Sequence, residues 1–228
     1  KLFTKLVREI TVAARQGGGD PEFNLQLRLA IDKAKDGNMP KENIERAIKR
    51  GTGELEGTNL EEIVYEGYAP NGVAVLVHAV TDNRNRTASQ LRNAFSDRGG
   101  SLAEAGAVQW QFDRKGYIAV NYDGVDEENI FDIVVEAGAE EIEFGDDLIE
   151  IYVNPKHFGA VQKALEEGGV PIEVTRLTMV PKSTVKLGEA ETLRVMRVID
   201  ALEDLDDVQE VHYNMEITDE VIAKYEGE

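Results

Sequence analysis

The order of elements between residues 117 and 180 constrains the fold of this chain more than any other feature. Apolar periodicity predicts strand, helix, strand, strand, helix and strand in that order. This order is typical of the ferredoxin-like plan, in which two split βαβ units share one antiparallel sheet. The expected strands are 117–121, 140–144, 148–153 and 172–180, and the expected helices are 126–137 and 155–167.

The segments on either side of this unit predict a larger ferredoxin-like domain into which the unit is inserted. The outer domain is expected to comprise residues 57–114 and 181–228, and the inserted domain residues 115–180. Before the insertion we expect strands 61–66, 73–80 and 107–113 with helix 86–98. After it we expect strands 183–187 and 209–216 with helices 189–203 and 218–225.

Residues 1–56 are predicted to form a separate domain of three helices. The second helix is expected to start with Asp20 as N-cap and Pro21 in its first turn, and to bury Phe23. The fold class is therefore α+β: an N-terminal three-helix domain followed by two ferredoxin-like α/β domains, the second inserted in the first. The first helix is expected to bury Leu2, Phe3, Leu6, Val7, Ile10, Ala13 and Ala14.

Charge is divided unevenly along the chain. The formal net charge of all 228 residues is −19, but residues 1–53 carry +4 and residues 54–228 carry −23. An acidic protein does not usually favour nucleic acid, whereas a basic segment on an acidic body is typical of a contact made through one face. We therefore expect any nucleic-acid contact to involve the N-terminal domain.

Two groups of basic residues are candidates for nucleic-acid contact. The first group lies on one face of the first helix, and we call it the basic stripe. The second group points outward from the third helix, and we call it the third-helix cations. Each group could equally be a solvated helix face. The basic stripe is Lys1, Lys5, Arg8 and Arg15, and the third-helix cations are Lys41, Arg46, Lys49 and Arg50.

A third candidate lies at the junction of residues 82–87, where an apolar strand gives way to a helix. Helix N-termini present free N–H groups and a positive dipole end, so Arg84 and Arg86 could help to hold an anion here. The alternative is that Asn and Asp only cap the helix, with the arginines in water or paired with Asp82 or Asp97.

The sequence offers little support for catalysis. The chain has no cysteine, which excludes disulfides and thiolate metal sites, and its three histidines fall in three separate predicted elements. No Ser/His/Asp order or metal-ligand spacing is convincing. We therefore expect no catalytic residues, no metal and no cofactor. No apolar run approaches the length of a membrane span, so we expect no membrane partner, and the absence of cysteine fits a reducing cytoplasm.

Several segments resemble the YebC family. They read NMPKENIERAIKRG at 38–51, YEGYAP at 65–70, TDNRNRT at 81–87, FSDRGG at 95–100 and FDRKG at 112–116. The resemblance covers nearly the whole chain. Family members begin with a strongly basic segment that has no counterpart here. Because the chain opens at Lys1 already in helical pattern, we expect a native N-terminal segment to be missing.

The resemblance implies a three-domain cytoplasmic protein that regulates gene expression and is not an enzyme. The first function that the resemblance implies is that of a probable DNA-binding transcriptional regulator. The alternative is a ribosome-associated translation factor that binds ribosomal RNA and relieves stalling. Charge alone does not separate DNA from RNA. A third hypothesis follows from the charge of the chain rather than from the resemblance: an interaction scaffold whose acidic body binds a basic protein.

Overall fold

The structure is a computed structural model that describes residues 1–121 and 124–226. The chain is α+β, with three N-terminal helices followed by two antiparallel sheets, and it divides into two compact units. One unit is Lys1–Phe112 with Pro181–Glu228, and the other is Asp113–Val180. The helices are α1 (Leu2–Gly17), α2 (Leu25–Asp36), α3 (Lys41–Thr52), α4 (Arg84–Ser96), α5 (Glu127–Ala137), α6 (Phe158–Glu167), α7 (Glu189–Glu203) and α8 (Asp219–Glu226). The strands are β1 (Glu61–Ala69), β2 (Val73–Thr81), β3 (Ser101–Ala103), β4 (Phe112–Asn121), β5 (Ala139–Phe144), β6 (Leu148–Val153), β7 (Ile172–Pro181) and β8 (Val208–Tyr213).

The three N-terminal helices enclose an apolar core of their own. Leu6 and Ile10 of α1, Leu27 of α2, and Ile44 and Ala47 of α3 are buried together. These residues recur every three or four positions along each helix, which places them on one face. The prediction of three helices is therefore confirmed.

The start of the second helix was predicted wrongly. Its N-cap is Asn24, whose side chain accepts the Leu27 N–H and donates to the carbonyls of Ala13 (2.8 Å) and Gly18 (2.9 Å). Asp20 only accepts an N–H within the preceding turn. Phe23, expected in the core, is 85% exposed. In α1, Leu2 and Phe3 are also exposed, because the core begins at Leu6.

The sheet of the first unit has the strand order β3-β1-β2-β8, and each strand pairs with its neighbours in antiparallel fashion. Helices α4 and α7 pack on it through Phe95 and Val198, which meet Val75, Val77 and Val208 in one core. Strands β2 and β3 are joined by α4 and lie on either side of β1, which makes them a split βαβ unit.

Two expected strands of this unit are corrected by the structure. The third strand is the short β3 at Ser101–Ala103; residues 109–111 form a 3-10 turn that leads into β4. Residues 107–113 and 117–121, predicted as two strands, thus contribute to a single strand, β4. Segment 183–187 is no regular strand; Val185 makes an isolated parallel bridge to Met215.

The second unit has the strand order β5-β6-β4-β7, with α5 between β4 and β5 and α6 between β6 and β7. This is the ferredoxin-like order that the sequence predicts. Ile118, Ile149 and Ile151 are fully buried, as is Phe158 of α6. An added Cβ at Gly116 would lie only 2.0 Å from the ring of Phe158, so glycine is needed for α6 to approach β4.

A layer of charged side chains lies where α1 and α2 meet the sheet of the first unit. Lys33 of α2 bridges Glu9 (3.1 Å) and Glu210 (3.4 Å), while His212 lies 3.4 Å from Glu210. Burial raises the pKa of Glu210, but the hydrogen bond to His212 and the charge of Lys33 outweigh it and lower the pKa to about 2.

This lowered pKa predicts a pH-dependent contribution of Glu210 to stability. The contribution is fully present above the ordinary pKa of 4.5 and is lost as pH falls towards about 2. We expect it to be on the order of 2 kcal/mol, allowing for the partial exposure of the side chain. Urea unfolding of the wild type and Glu210→Gln from pH 6 down to pH 2 measures it. The gap in unfolding free energy between them should close at the acid end; a gap that stays constant would contradict the prediction.

Candidate nucleic-acid interface

The third-helix cations lie on the exposed side of α3. Lys41 approaches Glu45 at 3.8 Å with 88% of its side chain exposed, and Arg46 donates to Asn43 Oδ1. Lys49 and Arg50, in the last turn, are exposed and have no ion-pair partner among the residues that the structure describes. α3 therefore presents positive charge that the chain itself neutralises only in part.

The basic stripe is largely engaged within the chain. The connection between α7 and β8 contacts its N-terminal end: Lys1 Nζ donates to the Asp204 carbonyl (3.1 Å) and Lys5 Nζ to the Glu203 carbonyl (2.6 Å). Burial lowers the pKa of Lys5 despite the nearby carboxylates. Arg15 donates to the carbonyl of Leu60, in the segment before β1.

Arg8, within the stripe, is largely enclosed. Its side chain is 17% exposed and donates to Asp207 Oδ1 (2.7 Å), the Asp206 carbonyl (3.0 Å) and the Val80 carbonyl (3.2 Å). The stripe was expected to face solvent along its whole length. The structure instead uses Lys1, Lys5 and Arg8 to fix α1 to residues 203–207.

At the junction of residues 82–87, Arg86 and Thr87 bind a carboxylate of the chain itself, that of Asp207. Asp207 is buried and accepts hydrogen bonds from Arg86 (2.8 Å), Thr87 Oγ1 (2.7 Å) and Arg8 (2.7 Å). Burial raises the pKa of Asp207, but these hydrogen bonds outweigh it, so the pKa lies below its ordinary value. Arg86 also donates to Asp82 at 2.8 Å, the pairing that the alternative interpretation described.

The first turn of α4 is capped as the sequence indicates. Asn83 is the N-cap, and its side chain accepts the N–H of Arg86 at 3.0 Å. The helix starts at Arg84, two residues earlier than predicted, so both arginines lie inside its first turn. Arg84 is exposed and pairs with Glu61 at 3.3 Å.

A groove of about 570 Å³ runs between α1 and the segment that joins α3 to β1. Arg50 and Arg8 both line it, which connects the end of the third-helix cations with the middle of the stripe. Its other lining residues are Phe3, Thr4, Val7, Thr11, Glu56, Gly57, Thr58, Leu60 and Asp82.

Comparison with known proteins decides the family. The N-terminal domain of TACO1/YebC proteins matches residues 1–54, and the second and third domains of TACO1/YebC proteins match residues 60–215. The chain belongs to the TACO1/YebC family.

Relatives of this TACO1/YebC chain agree over nearly its full length. A probable transcriptional regulatory protein of Persephonella marina is 53% identical over 98% of this chain and 90% of its own length. A probable transcriptional regulatory protein of Thermotoga maritima is 52% identical over 100% of this chain and 91% of its own length. The crystal structure of a conserved hypothetical protein from Aquifex aeolicus matches with a TM-score of 0.85 and 52% identity, covering 96% of this chain and 90% of that one.

Sequence reasoning missed two arginines of this TACO1/YebC chain. Arg92 and Arg98, in and just after α4, are exposed and have no ion-pair partner among the described residues. The signal that could have found them was the composition of residues 84–98, which hold four arginines and one acidic residue, Asp97. The pattern at the strand-to-helix junction pointed only to the arginines at the start of that helix.

The three histidines lie in β2, in β8 and at the start of α6. His78 of β2 lies 2.6 Å from Glu62 of β1, His212 lies beside Glu210, and His157 is the N-cap residue of α6. Over the described ranges, no group of three or more His, Cys, Asp or Glu side chains is arranged to hold a metal ion. Nor is any helix within these ranges both long and apolar enough to cross a bilayer.

Proposed function

We propose that this chain is a non-enzymatic regulator of gene expression that binds nucleic acid through α3. The observation that carries the proposal is the exposed positive charge of Lys49 and Arg50 on the net-positive segment of a chain whose total charge is −19. Cations that are not already paired can replace counterions at phosphates, which is the main source of affinity for nucleic acid. The groove lined by Arg50 offers a path for a phosphate backbone.

Duplex DNA is the first target proposed, because the relatives are named probable transcriptional regulatory proteins. Ribosomal RNA is the second. The acidic remainder of the chain repels a long duplex and allows contact through a limited face, which suits a folded RNA or a ribosomal site. In either case Lys1, Lys5 and Arg8 of the stripe contribute only if their contacts with residues 203–207 open.

Replacing Lys49 and Arg50 with alanine tests the proposal. We expect affinity for a labelled nucleic acid to fall about tenfold, and the slope of log K against log salt to shrink by roughly 0.7–0.9 for each phosphate that the variant no longer neutralises. Fluorescence anisotropy titrations with duplex DNA, single-stranded DNA and structured RNA, each at several salt concentrations, measure both quantities.

The matched control removes two lysines that are already ion-paired. Lys35 pairs with Asp32 and Lys163 with Glu167, so Lys35→Ala with Lys163→Ala removes the same formal charge without removing free cations. We expect this variant to keep the wild-type salt slope. Equal losses in the two double variants would show that only net charge matters, and wild-type affinity in Lys49→Ala/Arg50→Ala would remove α3 from the interface.

A further inference from the structure

Trp110, the only tryptophan of the chain, stands out from a short loop in the first unit. Its side chain is 67% exposed, although tryptophan is among the side chains that gain most from burial. The indole N–H is already used within the loop, because Nε1 donates to the carbonyl of Ala107 at 3.0 Å. The residue therefore presents the faces of its ring and no hydrogen-bond donor.

A buried carboxylate holds this loop in place. Glu66 of β1 is 2% exposed, and it accepts backbone N–H groups from Gly106, Val108 (3.3 Å) and Gln109 (2.5 Å). Burying a carboxylate costs free energy unless several donors satisfy it, so three N–H groups on one side chain fix the loop strongly. Trp110 is thus held outward before any partner arrives, which lowers the entropy lost on binding.

A second aromatic residue converges on the same point. Tyr68 Oη donates to the Ala107 carbonyl at 3.4 Å, so Tyr68 and Trp110 share one acceptor. The loop follows β3, which pairs with β1 and packs against α4. The unpaired arginines Arg92 and Arg98 belong to the segment that leads directly into β3.

We infer that Trp110 is a stacking platform for an unpaired base. This inference rests on the second form of the proposed function, a folded RNA target, and names the part of that RNA that is recognised. A ring without a free donor stacks on any base, and stacking is tolerant of sequence. The bases of a regular duplex are already stacked on one another, so the ligand is a single-stranded loop or end.

Because the chain has one tryptophan, its intrinsic fluorescence reports on this site alone. We expect single-stranded homopolymer RNA to quench Trp110, and a fully paired duplex bound to the same extent to leave it nearly unchanged. Labelled-strand anisotropy, measured in parallel, reports total binding. We expect Trp110→Ala to lose about tenfold in affinity for the single strand, and Trp110→Phe, which keeps an aromatic face, to retain most of it.

The outcomes separate the two proposals. Full binding by anisotropy, with unquenched Trp110 and wild-type affinity in Trp110→Ala, would overturn the stacking platform and leave the proposed function standing. No binding of any nucleic acid would overturn both. Trp110 fluorescence could instead change when a second protein, free of nucleic acid, is added, and stay constant with either polynucleotide. That result would assign the loop to a protein partner and overturn the inference.

Discussion

Replacement of Asp207 with alanine is expected to lower the free energy of unfolding by about 3 kcal/mol, in the range found when one partner of a buried ion pair is removed. The buried carboxylate is the common acceptor for Arg8 of α1 and for Arg86 and Thr87 of α4. Without it, the mostly enclosed guanidinium of Arg8 loses its counter-charge. Arg86, which is more exposed and keeps Asp82, loses less.

Asp206 provides the matched control for this substitution. It is the adjacent residue, it carries the same charge, and its side chain is exposed; Arg8 contacts only its backbone carbonyl. We expect Asp206→Ala to change the unfolding free energy by less than about 0.5 kcal/mol. Urea unfolding of both variants at neutral pH decides the matter, since equal small losses would show that the network around Asp207 contributes little.

Replacement of Gly51 with alanine is expected to destabilise the protein by about 2–3 kcal/mol, although alanine normally stabilises a helix relative to glycine. An added Cβ would lie 2.4 Å from the Thr11 carbonyl oxygen and 2.7 Å from Ala14 Cβ. Both atoms belong to α1, and a backbone carbonyl in a helix has little room to move. The larger residue therefore forces α1 and α3 apart and opens the N-terminal core.

Gly159 of α6 is the control, because it is also a helical glycine but has nothing within 4 Å of an added Cβ. Gly159→Ala is expected to stabilise the protein by about 0.5 kcal/mol or less, because Gly159 lies in the first turn of α6. Thermal and urea unfolding of the two variants should therefore move in opposite directions. Stabilisation by both substitutions would show that the approach of α3 to α1 at Gly51 is looser than the structure indicates.

The sequence predicts much of the architecture because apolar periodicity is a local property. The three N-terminal helices and the element order of the second unit follow from residues close together in the chain. Boundaries set by tertiary contacts were missed. Asn24 caps α2 because its amide reaches Ala13 and Gly18 across the turn, whereas Asp20 and Pro21 carry the stronger local signal.

The candidate site was predictable only in part, for a similar reason. The exposed positions of Lys49 and Arg50 follow from the helical period of α3. The pairing of Arg8 with Asp207 joins residues 199 positions apart, and no local pattern indicates it. The exposure of Trp110 also depends on tertiary contacts, because its loop is held by Glu66, a strand residue distant in sequence.

The place where the chain leaves and re-enters the first unit has a consequence for the length of the intervening segment. The N–H of Lys182 donates to the carbonyl of Gln111 at 2.8 Å, so the two ends of the intervening segment are fixed beside each other. Closing a longer loop costs only about 0.6 kcal/mol for each doubling of its length. The intervening segment can therefore change in length at little entropic cost to the first unit.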